Sequence, residues 1–228
     1  MASDTLEPDR LSRDAAALRA RLGDILLPPG ATDDALYPDH RDAAVLVPFV
    51  IRDGVPYLLF LLRPETMREH AGQVAFPGGR VDPGETKVEA ALREAQEELG
   101  IEPATVDVVG QVRGIPTVTS YWVTPVVGWL EQPPVLHPNP GEVAEVFEVA
   151  LSELLRPEAY EGNPVIWRGR QGWVDYFRVR DTEGKPRIVW GATGRMLHQF
   201  FEQVFGWEPP DPRWHEIGPT VGEFIEVE

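Results

Sequence analysis

The chain of 228 residues contains no cysteine. Disulfides, thiolate nucleophiles and thiolate metal sites are therefore excluded. Positive charge is also scarce: 21 lysines and arginines face 37 aspartates and glutamates, a formal net charge of −16. A protein that tracks a phosphate backbone needs a basic footprint, so no nucleic-acid partner is expected. A polyphosphate small molecule stays open, because bound cations can invert the local field. Long apolar runs are missing too. Charged residues or prolines interrupt the longest ones, none is of membrane-spanning length, and no membrane partner is expected. The stretch MASDTLEPDRLSRDAAALRARLG lacks the apolar core of a secretory signal and the acid-poor character of a transit peptide. The final EFIEVE is no retention or peroxisomal tripeptide. The expectation is a cytoplasmic protein.

What is present is a foldable core. Hydrophobic residues make up 43% of the chain, enough for one generous domain with extensions. From Arg10 to Leu27 apolar residues recur at helical spacing (Leu11, Ala15, Leu18, Leu22), which predicts an amphipathic helix. A proline-rich acidic connector follows. AAVLVPFVIRDGVPYLLFLLR is two apolar runs around Asp53-Gly54, a hairpin signal. Pro64 to Gly72 reads as a loop and QVAF as a short strand. TVDVVGQVRG and SYWVTPVVGWL are strand-like, and EVFEVALSELL is a strand running into a short helix. GWVDYFRVRD and PRIVWG flank a turn at Asp181–Lys185 as a second hairpin. ATGRMLHQFFEQVFG is a closing helix with Leu197, Phe200, Phe201 and Val204 on one face. Strands and helices mix without strict alternation, which favours α+β or a mixed-sheet sandwich over a doubly wound parallel sheet.

The most informative stretch is FPGGRVDPGETKVEAALREAQEELGI, from Phe76 to Ile101. Thr86 with Glu89 fits a capping box, and Gly100 fits a left-handed helix end. Val88, Ala91, Leu92, Ala95 and Leu99 then form one apolar stripe. Glu94, Glu97 and Glu98 share a neighbouring face at i+3 and i+4, where like charges repel. They also crowd the C-terminal end, where negative charge is disfavoured. A solvated acidic face is the bland reading. The clustering at the wrong end of the helix dipole argues against it.

The spacing resembles a complete Nudix box: Gly79, five residues, Glu85, seven residues, Arg93-Glu94, Ala95, one residue, Glu97-Glu98, one residue, Gly100-Ile101. Ala95 stands where that family prefers a larger aliphatic residue. The resemblance implies a Nudix-type α/β/α sandwich with a mixed β-sheet and a loop-helix-loop catalytic motif. It implies Mg²⁺ or Mn²⁺, hard cations that want carboxylate oxygens. By resemblance, Glu94 and Glu98 are the principal ligands and Glu97 is a third ligand or a base. Arg93 and Glu85 form the bracing pair. Glu142 and Glu145 are candidates by position for the further carboxylate the family often adds, and a solvated strand edge is as good a reading of each.

Upstream, LFLLRPETMREHAGQVAFPGG is similar to the segment that marks the coenzyme A diphosphatase subfamily. Arg63, Arg68, Gly72 and Phe76-Pro77-Gly78-Gly79 fall in register, while Leu61 and Pro64 depart from the pattern. The implied reaction is metal-dependent hydrolysis of the diphosphate of coenzyme A or its thioesters, giving 3′,5′-ADP and a 4′-phosphopantetheine species. Arg63, Arg68 and His70, with Gly78 and Gly79, become substrate-binding candidates, since guanidinium groups grip phosphate. The alternatives are a Nudix enzyme for ADP-ribose, NADH or another nucleoside diphosphate derivative, and a non-catalytic nucleotide-binding regulator. The resemblance divides the chain into an N-terminal helix and linker (1–41), a Nudix domain (42–205) and a proline-rich acidic tail (206–228). The tail's Trp207 and Trp214 are expected against the domain or a partner subunit, so a homodimer is one assembly open to it.

Overall fold

The computed structural model describes residues 6–31, 39–67, 70–167, 170–210 and 225–226. Arg68, Trp214 and most of the acidic connector lie outside the described residues.

The first apolar pair forms a hairpin. β1 (Arg41–Arg52) and β2 (Val55–Leu62) are antiparallel with Arg52 opposite Val55. Only Asp53 and Gly54 remain for the turn, with φ of 51° and 77°, the two-residue geometry whose twist matches the strands. Along β1, Ala43, Val47, Phe49 and Ile51 enter one apolar layer, and Ala44, Leu46 and Val50 enter another. β2 divides Leu58 and Phe60 from Leu59 and Leu61 in the same way. Strands apolar on both faces belong inside a sheet that is covered on both sides.

That sheet runs β3 (Val74–Ala75), β2, β1, β7 (Tyr121–Leu130), β5 (Asp107–Gln111). Three further strands join it: β4 (Gly78–Arg80) on β1, β6 (Ile115–Pro116) on β7 and β8 (Glu145–Ala150) on β2. β7 lies parallel to β1, from Arg41 beside Tyr121 to Val50 beside Leu130. The other pairings are antiparallel, so the sheet is mixed. One face is covered by α3 (Lys87–Leu99) through Ala90, Ala91, Ala95 and Leu99. The small alanines let helix and sheet backbones approach closely.

The opposite face meets the N-terminal and C-terminal helices. The single helix expected from Arg10 to Leu27 is instead two, α1 (Leu6–Leu11) and α2 (Ala15–Ile25). The break has a local cause: Asp14 caps α2, its Oδ1 accepting from the Ala17 amide at 3.0 Å, and such a side chain competes with helix continuation. Leu18 and Leu22 are fully buried in the same layer as Phe49. A short α4 (Leu151–Leu154) follows β8, and α5 (Gly191–Phe205) buries Leu197, Phe200, Phe201 and Val204. Thr193 in α5 donates its hydroxyl to the Val74 carbonyl at 3.1 Å, fixing the strand that leads into Phe76. The fold is α+β, an α/β/α sandwich on a mixed sheet.

A second sheet pairs β10 (Arg170–Arg180) with β11 (Pro186–Trp190), β9 (Tyr160–Trp167) and β12 (Ile225–Glu226). The sequence pattern missed β9 because Gly162, Asn163 and Pro164 interrupt its alternation. A strand paired along one edge tolerates such residues. Between this sheet and α5 lies a buried polar cluster centred on Asp175, 1% exposed. Tyr160 donates to Asp175 Oδ1 at 2.8 Å, His198 Nδ1 lies 2.7 Å from the same oxygen, and Trp173 donates to the Tyr160 hydroxyl at 2.9 Å.

Candidate active site

The acidic helix is anchored at both ends by its own sequence. The Glu89 amide donates to Thr86 Oγ1 at 3.2 Å, and Glu89 Oε2 accepts from the Thr86 amide at 2.8 Å. A cap of this kind contributes about 1 kcal/mol. It also commits Glu89, so Arg93 pairs elsewhere. Gly100 closes the helix at φ 73°, its amide donating to Gln96 at 2.8 Å.

Arg93 ties the preceding loop to the helix. Its Nε donates to Glu85 Oε1 at 2.9 Å and its Nη2 to Glu85 Oε2 at 3.1 Å. Nη2 also donates to the Arg80 carbonyl at 3.0 Å. Nη1 reaches Glu94 Oε1 at 3.0 Å and Glu97 Oε2 at 3.1 Å. The hydrogen bonds that Arg93 donates to Glu85 hold the Glu85 carboxyl below the usual range and push the guanidinium pKa further up.

The three helical glutamates differ in environment. The Glu97 side chain is 57% exposed. Glu94 is half-buried against Gly79, where any side-chain carbon would collide with its carboxylate. Glu98 is 3% exposed. Its Oε2 accepts from the Gly78 amide at 2.9 Å, and Arg63 Nη1 lies 3.8 Å from Oε1. Burial, aided by the negative charge of Glu94 and Glu142, pushes the Glu98 carboxyl up to about 7. The Gly78 amide and Arg63 pull the other way without winning. Burial raises the pKa of Glu94 as well, with Arg93 opposing.

Two loops complete the site. Phe76 stacks on Phe60 at 4.8 Å, which seats Gly78 and Gly79 beside the helix. A side-chain carbon on Gly78 would strike the Ala44 carbonyl, so this approach requires glycine. At the far end, the amides of His137 and Asn139 donate to the carbonyls of Leu99 and Glu98 at 2.7 and 2.8 Å. They satisfy helix-end acceptors that otherwise lack partners. Asn139 in turn accepts from the Glu142 amide at 3.0 Å, so this loop carries Glu142 within electrostatic reach of Glu94 and Glu98. Sequence reasoning missed His137 and Asn139; only the proline-punctuated LHPNPGE hinted at an ordered loop there.

The family model described as the NUDIX domain matches residues 40–168, more than half of the chain. The chain belongs to the Nudix family. It is 42% identical over 170 residues to a protein of Photorhabdus laumondii described as an uncharacterized Nudix hydrolase NudL. That match spans 74% of this chain and 88% of the relative. A NudL of Citrobacter koseri is 41% identical over 184 residues, spanning 78% and 90%. Among solved structures, a MutT protein from Methanosarcina mazei Go1 aligns at 28% identity over 50% of this chain and 80% of that one, TM-score 0.40. As a Nudix hydrolase, the chain acts on pyrophosphate bonds of nucleoside diphosphate derivatives.

On this Nudix scaffold Glu85, Arg93, Glu94, Glu97, Glu98, Gly78, Gly79 and Arg63 gather around the helix and its entry loop. His70, at φ 58°, sits on the upstream loop and pairs with Gln73 at 2.9 Å. Glu145 is engaged elsewhere: Arg187 Nη1 and Lys185 Nζ donate to it at 2.8 and 2.9 Å, holding its carboxyl down at about 2. Among the described residues, no three acidic or histidine side chains already stand in ligand geometry. The donor set nonetheless fits a hard divalent cation. Glu98 is a carboxylate whose ionised form is disfavoured chiefly by burial, a penalty a cation would offset, and Glu94 on the same helix face is an oxygen donor of the same hard type. No helix among the described residues is long and apolar enough to cross a membrane.

Proposed function

We propose that this Nudix hydrolase cleaves the diphosphate of coenzyme A or acyl-coenzyme A, releasing 3′,5′-ADP and (acyl-)4′-phosphopantetheine. The observation that carries this reading is Arg63. It belongs to the upstream segment similar to that of the coenzyme A diphosphatases, and its guanidinium lies 3.8 Å from the buried catalytic candidate Glu98. Its side chain is 22% exposed, and a guanidinium edge suits a phosphoryl oxygen of the substrate.

Glu94 and Glu98 would hold Mg²⁺ or Mn²⁺, with Glu97 or Glu142 completing the oxygen set. A divalent ion bound there supplies Lewis acidity toward the phosphoryl oxygens and offsets their charge. The chain's own groups do the positioning. Arg93 fixes the loop from Arg80 to Glu85 against the helix, and the Gly78 amide orients Glu98. Glu97, the most exposed of the three helical carboxylates, would act as a third ligand or take a proton from an attacking water.

The test is kcat/KM measured with Mg²⁺ on coenzyme A, dephospho-coenzyme A, ADP-ribose and NADH in parallel. Coenzyme A turned over most efficiently is the expected result. Preference for ADP-ribose or NADH would overturn the substrate assignment while leaving the metal helix intact.

A further inference from the structure

Two carboxylates, Glu142 and Glu145, leave the loop docked on the acidic helix, and the fold treats them differently. Glu145 is neutralised, with Arg187 and Lys185 donating to it at 2.8 and 2.9 Å. Among the described residues no basic side chain pairs with Glu142 within 4.0 Å. Its partner is instead a neutral amide: Asn139 Nδ2 donates to Glu142 Oε2 at 3.4 Å.

The sequence Asn139-Pro140-Gly141-Glu142 builds that arrangement locally. Pro140 presets φ at the second position of a turn, and the turn closes where the Glu142 amide donates to the Asn139 carbonyl at 3.0 Å. The Val143 amide donates to the same carbonyl at 2.8 Å. The Asn139 side chain adds a second lock, its Oδ1 accepting from the Gly141 amide at 3.0 Å. A backbone N–H can only donate, so oxygen is the carboxamide atom that faces Gly141 and nitrogen the one that faces Glu142. An aspartate could make the first contact but not the second.

The turn is fixed on both sides. The Asn139 amide donates at 2.8 Å to the carbonyl of Glu98 itself. Beyond Glu142, Val143 is buried in the apolar layer of Leu59, Leu61 and Leu99, and the Ala144 amide donates to the Leu62 carbonyl at 2.8 Å. Glu142 therefore stands between a residue bonded to the acidic helix and a residue locked under the sheet, and its charge is felt at both Glu94 and Glu98. With the backbone held, the direction of its carboxylate is left to the Asn139 carboxamide. A neutral donor orients an anion without discharging it, which keeps the negative charge for a cation.

We propose that Asn139 is a positioning residue that locks the turn and aims the Glu142 carboxylate at the cation site of Glu94 and Glu98. This role rests on the metal-site reading above and holds for any diphosphate substrate.

The experiment is Mn²⁺ titration followed by electron paramagnetic resonance, on wild type, Asn139→Ala, Glu142→Gln, the double variant of these two, and Glu98→Gln. Asn139 is exposed, so its truncation should leave the protein folded, which urea midpoints check. Asn139→Ala is expected to weaken Mn²⁺ binding about tenfold. In the Glu142→Gln background it should add no further loss, because the two residues act as a unit. Wild-type affinity in Asn139→Ala or in Glu142→Gln, or the same loss from Asn139→Ala with and without Glu142, would overturn the role. Weakened binding in Glu98→Gln marks that failure as one of Asn139 alone. Wild-type affinity in Glu98→Gln would instead strike down the metal site, and the role of Asn139 with it.

Discussion

Arg93 grips Glu85 through two parallel hydrogen bonds, Nε to Oε1 at 2.9 Å and Nη2 to Oε2 at 3.1 Å. The pair spans the turn between the glycine loop and the acidic helix, and Arg93 reaches two further glutamates from the same position. One side chain therefore fixes the loop and offsets the repulsion among carboxylates. Replacing Arg93 with alanine is expected to cost about 1.5–3 kcal/mol of stability, the range for hydrogen bonds to charged groups. It should also lower kcat. Urea unfolding alongside steady-state kinetics measures both, and an unaffected midpoint would remove the bracing role.

Gly79 faces the carboxylate of Glu94 with no room for a methyl group. Gly79→Ala should displace Glu94, so Mn²⁺ affinity falls while the urea midpoint changes little. Titration followed by electron paramagnetic resonance reads the free ion directly. Wild-type affinity in this variant would mean that Glu94 is not a ligand.

The two later carboxylates are predicted to separate. Glu142 influences Glu94 and Glu98, whereas Glu145 is bound by Arg187 and Lys185. Glu142→Gln should weaken metal binding and turnover. Glu145→Gln should instead lower stability, because it leaves the buried Arg187 with one fewer anionic partner. The reverse pattern would reassign the loop.

Glu98 gives a pH signature. Its folded-state pKa is raised to about 7 from an ordinary 4.5, so between these values the folded protein holds a proton that the unfolded chain has lost. Stability from this group is therefore full below about 4.5 and declines as pH rises through about 7. In chelator, the Glu98→Gln variant should become more stable relative to wild type as pH goes from 5 to 8. Paired urea midpoints measure this difference, and a constant offset would contradict it.

The buried cluster around Asp175 tests stability apart from catalysis. Removing one partner of a buried charged group costs about 3–5 kcal/mol. Asp175→Ala removes the acceptor of the Tyr160 hydroxyl and the carboxylate beside His198 and the buried Arg195, and should lower the thermal midpoint strongly while leaving Mn²⁺ affinity in the folded fraction unchanged. Loss of metal affinity with no loss of stability would reverse that assignment.

The helix limits were legible in the sequence because Thr86, Glu89 and Gly100 act within four residues of the ends they set. The Asp53-Gly54 hairpin was legible for the same local reason. What was not legible depends on contacts distant in the chain. The placement of Arg63 beside Glu98 requires β2 and α3 to meet across the sheet. The loop from His137 to Glu142 is docked by backbone amides, which have no side-chain signature. The break before α2 follows from Asp14, whose capping role was masked by the apolar periodicity on either side.

The proposed reaction is diphosphate cleavage of coenzyme A at the helix that carries Glu98. Its most direct measurement is mass spectrometry of the products of coenzyme A incubated with Mg²⁺ and either wild type or Glu98→Gln. Wild type should give 3′,5′-ADP and 4′-phosphopantetheine, and the variant should form them orders of magnitude more slowly. Equal product from the two proteins, or cleavage at any other bond, would contradict it.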